Sequence, residues 1–170
     1  MAGILGTKRL TVRQFALDDA AFILRLLNEP SFINNVTDRG IRSLEDAERY
    51  VGEVLIASYE QHGFGSWRVS LNESDTPIGL AGLVKRDCID DVDLGYALLP
   101  EYWGQGYAFE AASAILQYAR AHLGYHRVAA IVNDDNEPSI RLLGKLGFKH
   151  ERMIRLPDET EEIRLFSAEV

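Results

Sequence analysis

The sequence predicts an α/β protein in which helices flank one mixed, mostly antiparallel central sheet. Three observations lead to this fold class. Strand-like and helix-like segments follow in the order strand, two helices, three strands, helix, strand, helix and two strands. The 170 residues, with 46% hydrophobic and 26% charged side chains, have the composition of an ordinary globular chain. No internal repeat or linker-like tract interrupts the chain, so we expect a single domain over residues 1–170.

The first half of the chain predicts one strand, two helices and a meander. Apolar and polar residues alternate over residues 9–15, as in a strand with one buried face. Asp18 can cap the first helix, and Ser43 with Asp46 resembles the capping box of the second. The second helix is expected to bury the residues at helical spacing, Leu44, Ala47, Val51, Val54, Leu55 and Ser58. Polar turns then separate three strand-like runs, residues 66–71, 78–86 and 91–99.

The second half predicts two helices that alternate with three strands. The helix of residues 106–123 is expected to bury its apolar residues at spacings of three and four, Phe109, Ala112, Leu116, Ala119 and Leu123. The short apolar run 128–132 is typical of a strand that is buried on both faces. A helix over residues 136–146 and strands over 148–154 and 162–170 complete the order.

Charge and composition exclude several classes of protein. Eighteen basic and twenty-six acidic residues give a net charge of −8, which argues against a general nucleic-acid binder and against docking on anionic membranes. No segment has the length and apolarity of a signal peptide or a transmembrane helix, so a cytoplasmic location is expected. Cys88 is the one cysteine, and the four histidines have no ligand spacing, so no metal is predicted. The oligomeric state stays open between monomer and homodimer.

The most informative segment is PEYWGQGYAFEAA, residues 100–112, where a strand turns through two glycines into a long helix. Residues 104–108 lack the short side-chain oxygen that normally caps a helix, so several backbone N–H groups are left free. With the helix dipole, these groups predict an anion site made of amides rather than of Lys or Arg. A plain turn with two packing glycines is the alternative. The Walker and dinucleotide loops do not fit, since no Lys follows and Phe109 stands at the third glycine position.

Two motifs together resemble the GCN5-related N-acetyltransferase (GNAT) family. They are LGYALLPEYWGQGYAFEAA, residues 94–112, and NEPSIRLLGKLGF, residues 136–148. The resemblance is closest to the branch that includes the bacterial ribosomal-protein N-terminal acetyltransferases. It implies an acetyl-CoA-dependent N-acetyltransferase with direct transfer to a primary amine, and a sheet splayed in its middle to hold the pantetheine arm.

The resemblance also implies which residues contact acetyl-CoA. The pyrophosphate would lie on the loop Trp103, Gly104, Gln105, Gly106, Tyr107 and Ala108. The pantetheine arm would face Ala97, Leu98 and Leu99 on one strand, and Val132 and Asn133 on the other. Asn136 would cap the last helix and reach the arm, and Ser139 would sit near the thioester sulfur. The alternative for Ser139 is that its hydroxyl bonds only the backbone.

The chemistry calls for a base and for stabilisation of the leaving thiolate. Many family members place a tyrosine four residues after the serine as the proton donor, but this chain has Leu143 there, so Ser139 is the remaining candidate. Asp93 stands where the family often has a carboxylate base. The equal alternative is that Asp93 is only a solvated strand residue. Glu29 and Glu110 are weaker candidates. Residues expected near the acceptor amine are Phe32, Asn34, Trp67 and Tyr96, although strand aromatics are more often core.

Three functions therefore remain in competition. The first is an N-acetyltransferase for a protein N-terminal α-amine or for a small amine such as a polyamine, to which the acidic surface is suited. The second is a non-catalytic acyl-CoA-binding or regulatory module, which the missing tyrosine would favour. The third is a nucleotide-binding protein that uses the same glycine loop.

Overall fold

The computed structural model describes residues 4–170, and its central feature is one eight-stranded sheet with the strand order β1-β2-β3-β4-β5-β6-β8-β7. The strands are β1 Leu5–Gly6, β2 Leu10–Arg13, β3 Ser66–Leu71, β4 Pro77–Val84, β5 Val92–Leu98, β6 Arg127–Val132, β7 Lys149–Ile154 and β8 Ile163–Glu169. The helices are α1 Ala20–Leu27, α2 Pro30–Asn35, α3 Leu44–Tyr50, α4 Ala57–His62, α5 Tyr107–Leu123 and α6 Glu137–Lys145. The expected α/β fold is confirmed. The strand β1 goes beyond the predicted elements.

Neighbouring strands are antiparallel except for β5 and β6, which are parallel. Parallel strands need a crossover connection, and α5 supplies it. The strands after α6 return antiparallel, with β8 inserted between β6 and β7. The parallel pair therefore lies in the middle of the sheet, between an antiparallel half on each side.

Helices cover the two faces of the sheet through separate apolar clusters. On one face, Ala112 and Ile115 of α5 and Leu143 of α6 pack against Leu94 and Leu98 of β5. On the other face, residues of α1, α2 and α3 pack against Leu80 of β4 and against Leu99, which directly follows β5. Burial of this apolar area is the main stabilisation of the fold. Because strand side chains alternate, each position of β5 belongs to one of these two faces.

The predicted core faces of two helices need correction. In the second predicted helix, Leu44 and Val54 are 50% and 47% exposed. Phe109 is 42% exposed, and α5 buries Ala111 and Ile115 in the core instead. In the other helical segment, residues 44–62, the buried positions Ala47, Val51, Leu55 and Tyr59 recur every four residues. A four-residue step overshoots the 3.6-residue turn of an α-helix, and a wider π-helical stretch, Val51–Ile56, takes up the difference.

A buried ionic network fixes the entry to α1. The Asp19 carboxylate accepts hydrogen bonds from Arg13 at 2.7 and 2.9 Å, and it lies 3.4 Å from Nε of Arg68. Burial alone would raise the pKa of Asp19, but the hydrogen bonds from Arg13 and the Ala16 N–H lower it overall. Since Arg68 is only 5% exposed, its charge depends on Asp19 and on Asp75 for compensation.

We predict that Asp19→Asn lowers the free energy of unfolding by about 3 kcal/mol, because it leaves the largely buried Arg13 without its carboxylate partner and Arg68 with Asp75 alone. Urea unfolding at neutral pH measures the change. The matched control is Glu45→Gln, which removes an exposed ion pair with Arg49 and should cost less than about 0.5 kcal/mol. Equal effects of the two substitutions would contradict the account of this network.

Candidate active site

The candidate site begins where β5 and β6 stop pairing. The two strands pair at Val92 with Val128 and at Asp93 with Ala129, and the pairing ends there although both strands continue. From this point, β5 and β6 diverge toward their carboxyl ends. The sheet therefore contains an internal opening that is bounded by the main chains of two strands, as the resemblance implied.

The hydrogen-bond alternation shows which backbone groups of β5 line this opening. The N–H of Leu99 donates to the carbonyl of Ile78 on β4 at 2.8 Å. In an antiparallel pair, alternate residues face opposite edges, so the backbone groups of Tyr96 and Leu98 face away from β4 and into the opening. The predicted lip of Ala97, Leu98 and Leu99 is therefore corrected, because the backbone groups of Ala97 and Leu99 face β4.

The same reasoning identifies the second lip. The N–H of Val170 donates to the carbonyl of His126 at 3.0 Å, which sets the alternation between β6 and β8. Ile131 then turns its backbone groups toward the opening, and Val132 faces β8 instead. Asn133 follows directly, and its side-chain amide donates to the carbonyl of Asn35 at 3.2 Å, which ties α2 to the end of β6.

A glycine-rich loop connects the first lip to α5. Gly104 and Gly106 have φ angles of +72° and +82°, a region that side chains rarely adopt. Gly106 is the residue immediately before α5, and no side chain caps this helix. Trp103 is 52% exposed, and its indole N–H donates to the Leu98 carbonyl at 2.9 Å, so it satisfies one acceptor at the edge of the opening.

The backbone N–H groups of residues 104–109 donate no hydrogen bond to any residue within 4–170. These six amides stand at the positive end of a 17-residue helix. Free amides at a helix N-terminus are a binding site for a phosphate group, and they need no basic side chain in contact with the ligand. The loop geometry matches the expectation from the sequence.

The Arg9 side chain contacts this loop on its carbonyl side, a contact between distant residues that the sequence does not predict. Arg9 donates to the carbonyl of Gln105 at 2.9 Å and to the Glu110 carboxylate at 2.6 Å, and its guanidinium lies 4.3 Å from the Tyr107 ring centroid. Burial alone would raise the pKa of Glu110, but hydrogen bonds from Thr7 and Arg9 lower it. Glu110 is therefore an anchor for the β1–β2 turn, and these bonds occupy its carboxylate.

At the start of α6, Asn136 caps the helix, since its side-chain oxygen accepts from the Ser139 N–H at 3.4 Å. This part of the expectation is confirmed. The hydroxyl of Ser139 bonds a side chain rather than the backbone: it lies 2.6 Å from the hydroxyl of Tyr96. Leu143 is 1% exposed and belongs to the apolar core, so α6 presents no tyrosine at that position.

Asp93 lies at the closed end of the opening and is 2% exposed. Its Oδ2 accepts from Arg86 at 2.8 Å, and its Oδ1 has no hydrogen-bond partner among residues 4–170. Burial raises the pKa of Asp93 to about 6, against the opposing effects of Arg86 and of the backbone N–H of Ile131. A buried carboxylate oxygen without a partner costs free energy, and such groups concentrate at functional sites.

Of the residues expected around the acceptor amine, one lies near the opening and two lie in the core. Asn34 is exposed near the end of α2, beside the lip formed by Asn133. Phe32 is 6% exposed and packs into the core between the helices and the sheet. Trp67 is 0% exposed and packs edge-on against Tyr118, so it lies in the core, which is the alternative stated for strand aromatics. Glu29 precedes α2, where its carbonyl accepts from two backbone N–H groups.

Residues 4–170 contain no group of three His, Cys, Asp or Glu side chains arranged to hold a metal ion. Within the same range, no helix combines the length and apolarity needed to cross a membrane.

Comparison with known proteins agrees with this geometry. The family described as "Acetyltransferase (GNAT) domain" matches residues 9–149. The uncharacterized N-acetyltransferase YoaA of Bacillus subtilis is 32% identical over 162 residues, which cover 91% of this chain and 88% of that protein. The chain therefore belongs to the GNAT acetyltransferase family and is an acyltransferase.

Solved structures share the fold at low sequence identity. The ribosomal alpha-N-protein acetyltransferase RimL, in complex with coenzyme A, superposes with a TM-score of 0.84 at 14% identity, over 99% of this chain and 98% of that one. Spermidine N-acetyltransferase from Vibrio cholerae, in complex with CoA and spermine, gives 0.78 at 18% identity, over 96% of each chain.

We predict that Gly106→Ala weakens CoA binding roughly tenfold, since a side chain in the left-handed region costs about 1–2 kcal/mol and the loop relaxes out of its amide geometry. A Cβ at this position would also lie 3.3 Å from Nη2 of Arg9. Isothermal titration with CoA measures the change.

The matched control is Gly124→Ala, at the other end of the same helix, where φ is +74° and no atom lies within 4 Å of the added Cβ. This variant should lose similar stability but keep its CoA affinity within about twofold. Parallel losses of affinity in both variants would mean that general destabilisation, not loop geometry, governs binding.

Proposed function

We propose that this protein transfers an acetyl group from acetyl-CoA directly to a primary amine. The acceptor molecule carries positive charge on groups other than the reacting amine. The observation that carries the proposal is a pair of binding features joined through residues 99–103. They are the free amides of residues 104–109 and the β5 edge at Tyr96 and Leu98, where Trp103 bonds the Leu98 carbonyl and the Leu98 N–H stays open. The amides suit a pyrophosphate, and the strand edge suits the amide-containing pantetheine arm. One extended ligand with both features would occupy both sites.

In this proposal, Asp93 removes the proton of the attacking amine. An α-amine has a pKa near 8, so a base with a raised pKa is matched to the task at neutral pH. Because the Asp93 side chain is 2% exposed, the proton passes to it through a bridging water. The carbonyl oxygen of the acetyl group would take its hydrogen bond from a free N–H of the β5 lip.

The surface near the open end favours a cationic acceptor. The β7–β8 turn begins after Ile154, which pairs with Ile163, and it follows the same edge of the sheet as the end of β6. This turn presents four exposed carboxylates, Asp158, Glu159, Glu161 and Glu162. A protein N-terminus in a basic segment and a polyamine both fit this charge, and a cytoplasmic location would supply either.

One contact in the structure weakens the argument for the non-catalytic alternative. The missing tyrosine at position 143 favoured a CoA-binding module without catalysis, but a different tyrosine hydroxyl lies beside Ser139. A nucleotide-binding function on the same loop would leave the open strand edge without a ligand.

The direct test incubates the protein with acetyl-CoA and a panel of acceptors and measures CoA release. The panel contains basic and acidic peptides with free N-termini, spermidine, and neutral primary amines. We expect turnover with cationic acceptors that weakens as salt concentration rises. If CoA binds but no acceptor in the panel is acetylated above background, the acetyltransferase proposal fails and the binding-module alternative stands.

We predict that kcat/KM rises with pH through an inflection near 6, because Asp93 must be ionised to accept a proton and its pKa is raised to about 6. Asp93→Asn should lower kcat about 100-fold or more and remove this inflection, with CoA affinity retained. The pH–rate profile of both proteins measures the effect.

Asp91→Asn is the control, since it removes a neighbouring carboxylate that pairs with Arg127 at 2.9 Å on the surface. Its profile should match that of the parent protein. An inflection that persists in Asp93→Asn would assign the base to another group.

A further inference from the structure

We propose that Tyr96 is a positioning residue that acts through Ser139 and holds the Ser139 proton toward the sulfur of the departing CoA thiolate. This assignment rests on the proposed acetyltransfer function and adds to it a residue from β5 that orients the donor Ser139, in a chain whose last helix has Leu143 in place of a tyrosine. The 2.6 Å contact between the two hydroxyl oxygens joins residues 43 positions apart in the chain.

The alternation of β5 places Tyr96 on the correct face for this role. Tyr96 packs with the cluster that contains Leu94 and Leu98, on the side of the sheet covered by α5 and α6. Asp93 is three residues earlier and therefore points to the opposite face. The proposed base and the Tyr96–Ser139 pair thus approach the opening from different faces of the sheet, so one can contact the attacking amine and the other the departing thiolate.

The direction of the hydrogen bond follows from the chemistry of the two hydroxyls. A phenol is a stronger donor than an aliphatic hydroxyl, so Tyr96 donates to the oxygen of Ser139. The proton of Ser139 is then free to point into the site. Accepting a hydrogen bond also polarises the Ser139 hydroxyl and makes it a better donor. The N-terminus of α6, where Ser139 lies, further favours negative charge nearby.

The transfer step balances with these residues. The amine nitrogen forms a bond to the acetyl carbon, the carbon–sulfur bond breaks, and its electron pair stays on sulfur. The amine proton passes to Asp93 and then to solvent. Ser139 donates a hydrogen bond to the developing thiolate, and the thiolate takes a proton from solvent as CoA leaves.

The protonation state of Tyr96 is consistent with its role as a hydrogen-bond donor. Burial raises the pKa of Tyr96, and the hydrogen bond with Ser139 only partly opposes this effect. The phenol therefore keeps its proton throughout the neutral range.

The experiment measures the thiol pKa of bound CoA, which requires binding but no turnover. CoA is bound to the parent protein and to Tyr96→Phe, Ser139→Ala and the double variant, and thiolate absorbance is followed against pH. We expect the parent protein to lower the thiol pKa relative to free CoA, and each single variant to return it toward the free value. The double variant should equal Ser139→Ala, because Tyr96 acts through Ser139.

Turnover supplies the second measurement. Tyr96→Phe should lower kcat about tenfold with acetyl-CoA affinity unchanged, and the double variant should match Ser139→Ala within about twofold. The control is Tyr118→Phe, which removes the hydroxyl of a core tyrosine that packs on Trp67 and should change neither quantity.

The outcomes separate the two proposals. A lowered thiol pKa that Tyr96→Phe abolishes supports the assignment even if no acceptor is acetylated. Unchanged thiol pKa and kcat in Tyr96→Phe, or additive losses in the double variant, overturn the assignment and leave acetyltransfer intact. Failure of the parent protein to bind CoA overturns both.

Discussion

Separation of two parallel strands is the constraint on which the rest of the site depends. In a continuous sheet, the backbone groups of Tyr96 and Leu98 would be used by β6, and no edge would remain for a ligand. Here the pairing ends after Asp93 and Ala129. The free edge is stable only because helices on both faces hold the strands, with α5 and α6 on one side and the helices from α1 to α3 on the other.

The glycine loop and the opening are adjacent because the loop connects the end of β5 to the start of α5. Two residues with positive φ turn the chain between β5 and α5, and the Trp103 indole of this loop bonds the Leu98 carbonyl at the end of the strand edge. Arg9 and Glu110 support the loop from its carbonyl side. A protein with a net charge of −8 can therefore present free main-chain N–H groups whose dipoles favour an anion.

Local features of the site could be predicted from the sequence, and non-local ones could not. The turn at Gly104 and Gly106 and the helix cap at Asn136 follow from chain geometry within a few residues, and the structure shows both. The contact between Tyr96 and Ser139 depends on how a strand and a helix pack across the opening. Whether the backbone groups of Leu98 or those of Leu99 face the opening depends on strand register, which composition does not encode. The exposure of Phe109 and Val54 shows that apolar spacing alone does not fix a helix face.

The central claim is that one extended CoA molecule occupies the glycine loop and the strand opening together. Titration of the ¹⁵N-labelled protein with CoA, followed by amide chemical shifts, tests it most directly. The account predicts that the largest shifts fall on residues 104–109 and on Tyr96, Leu98 and Ile131, all with one dissociation constant. Shifts confined to the loop, or centred on another surface, would contradict it.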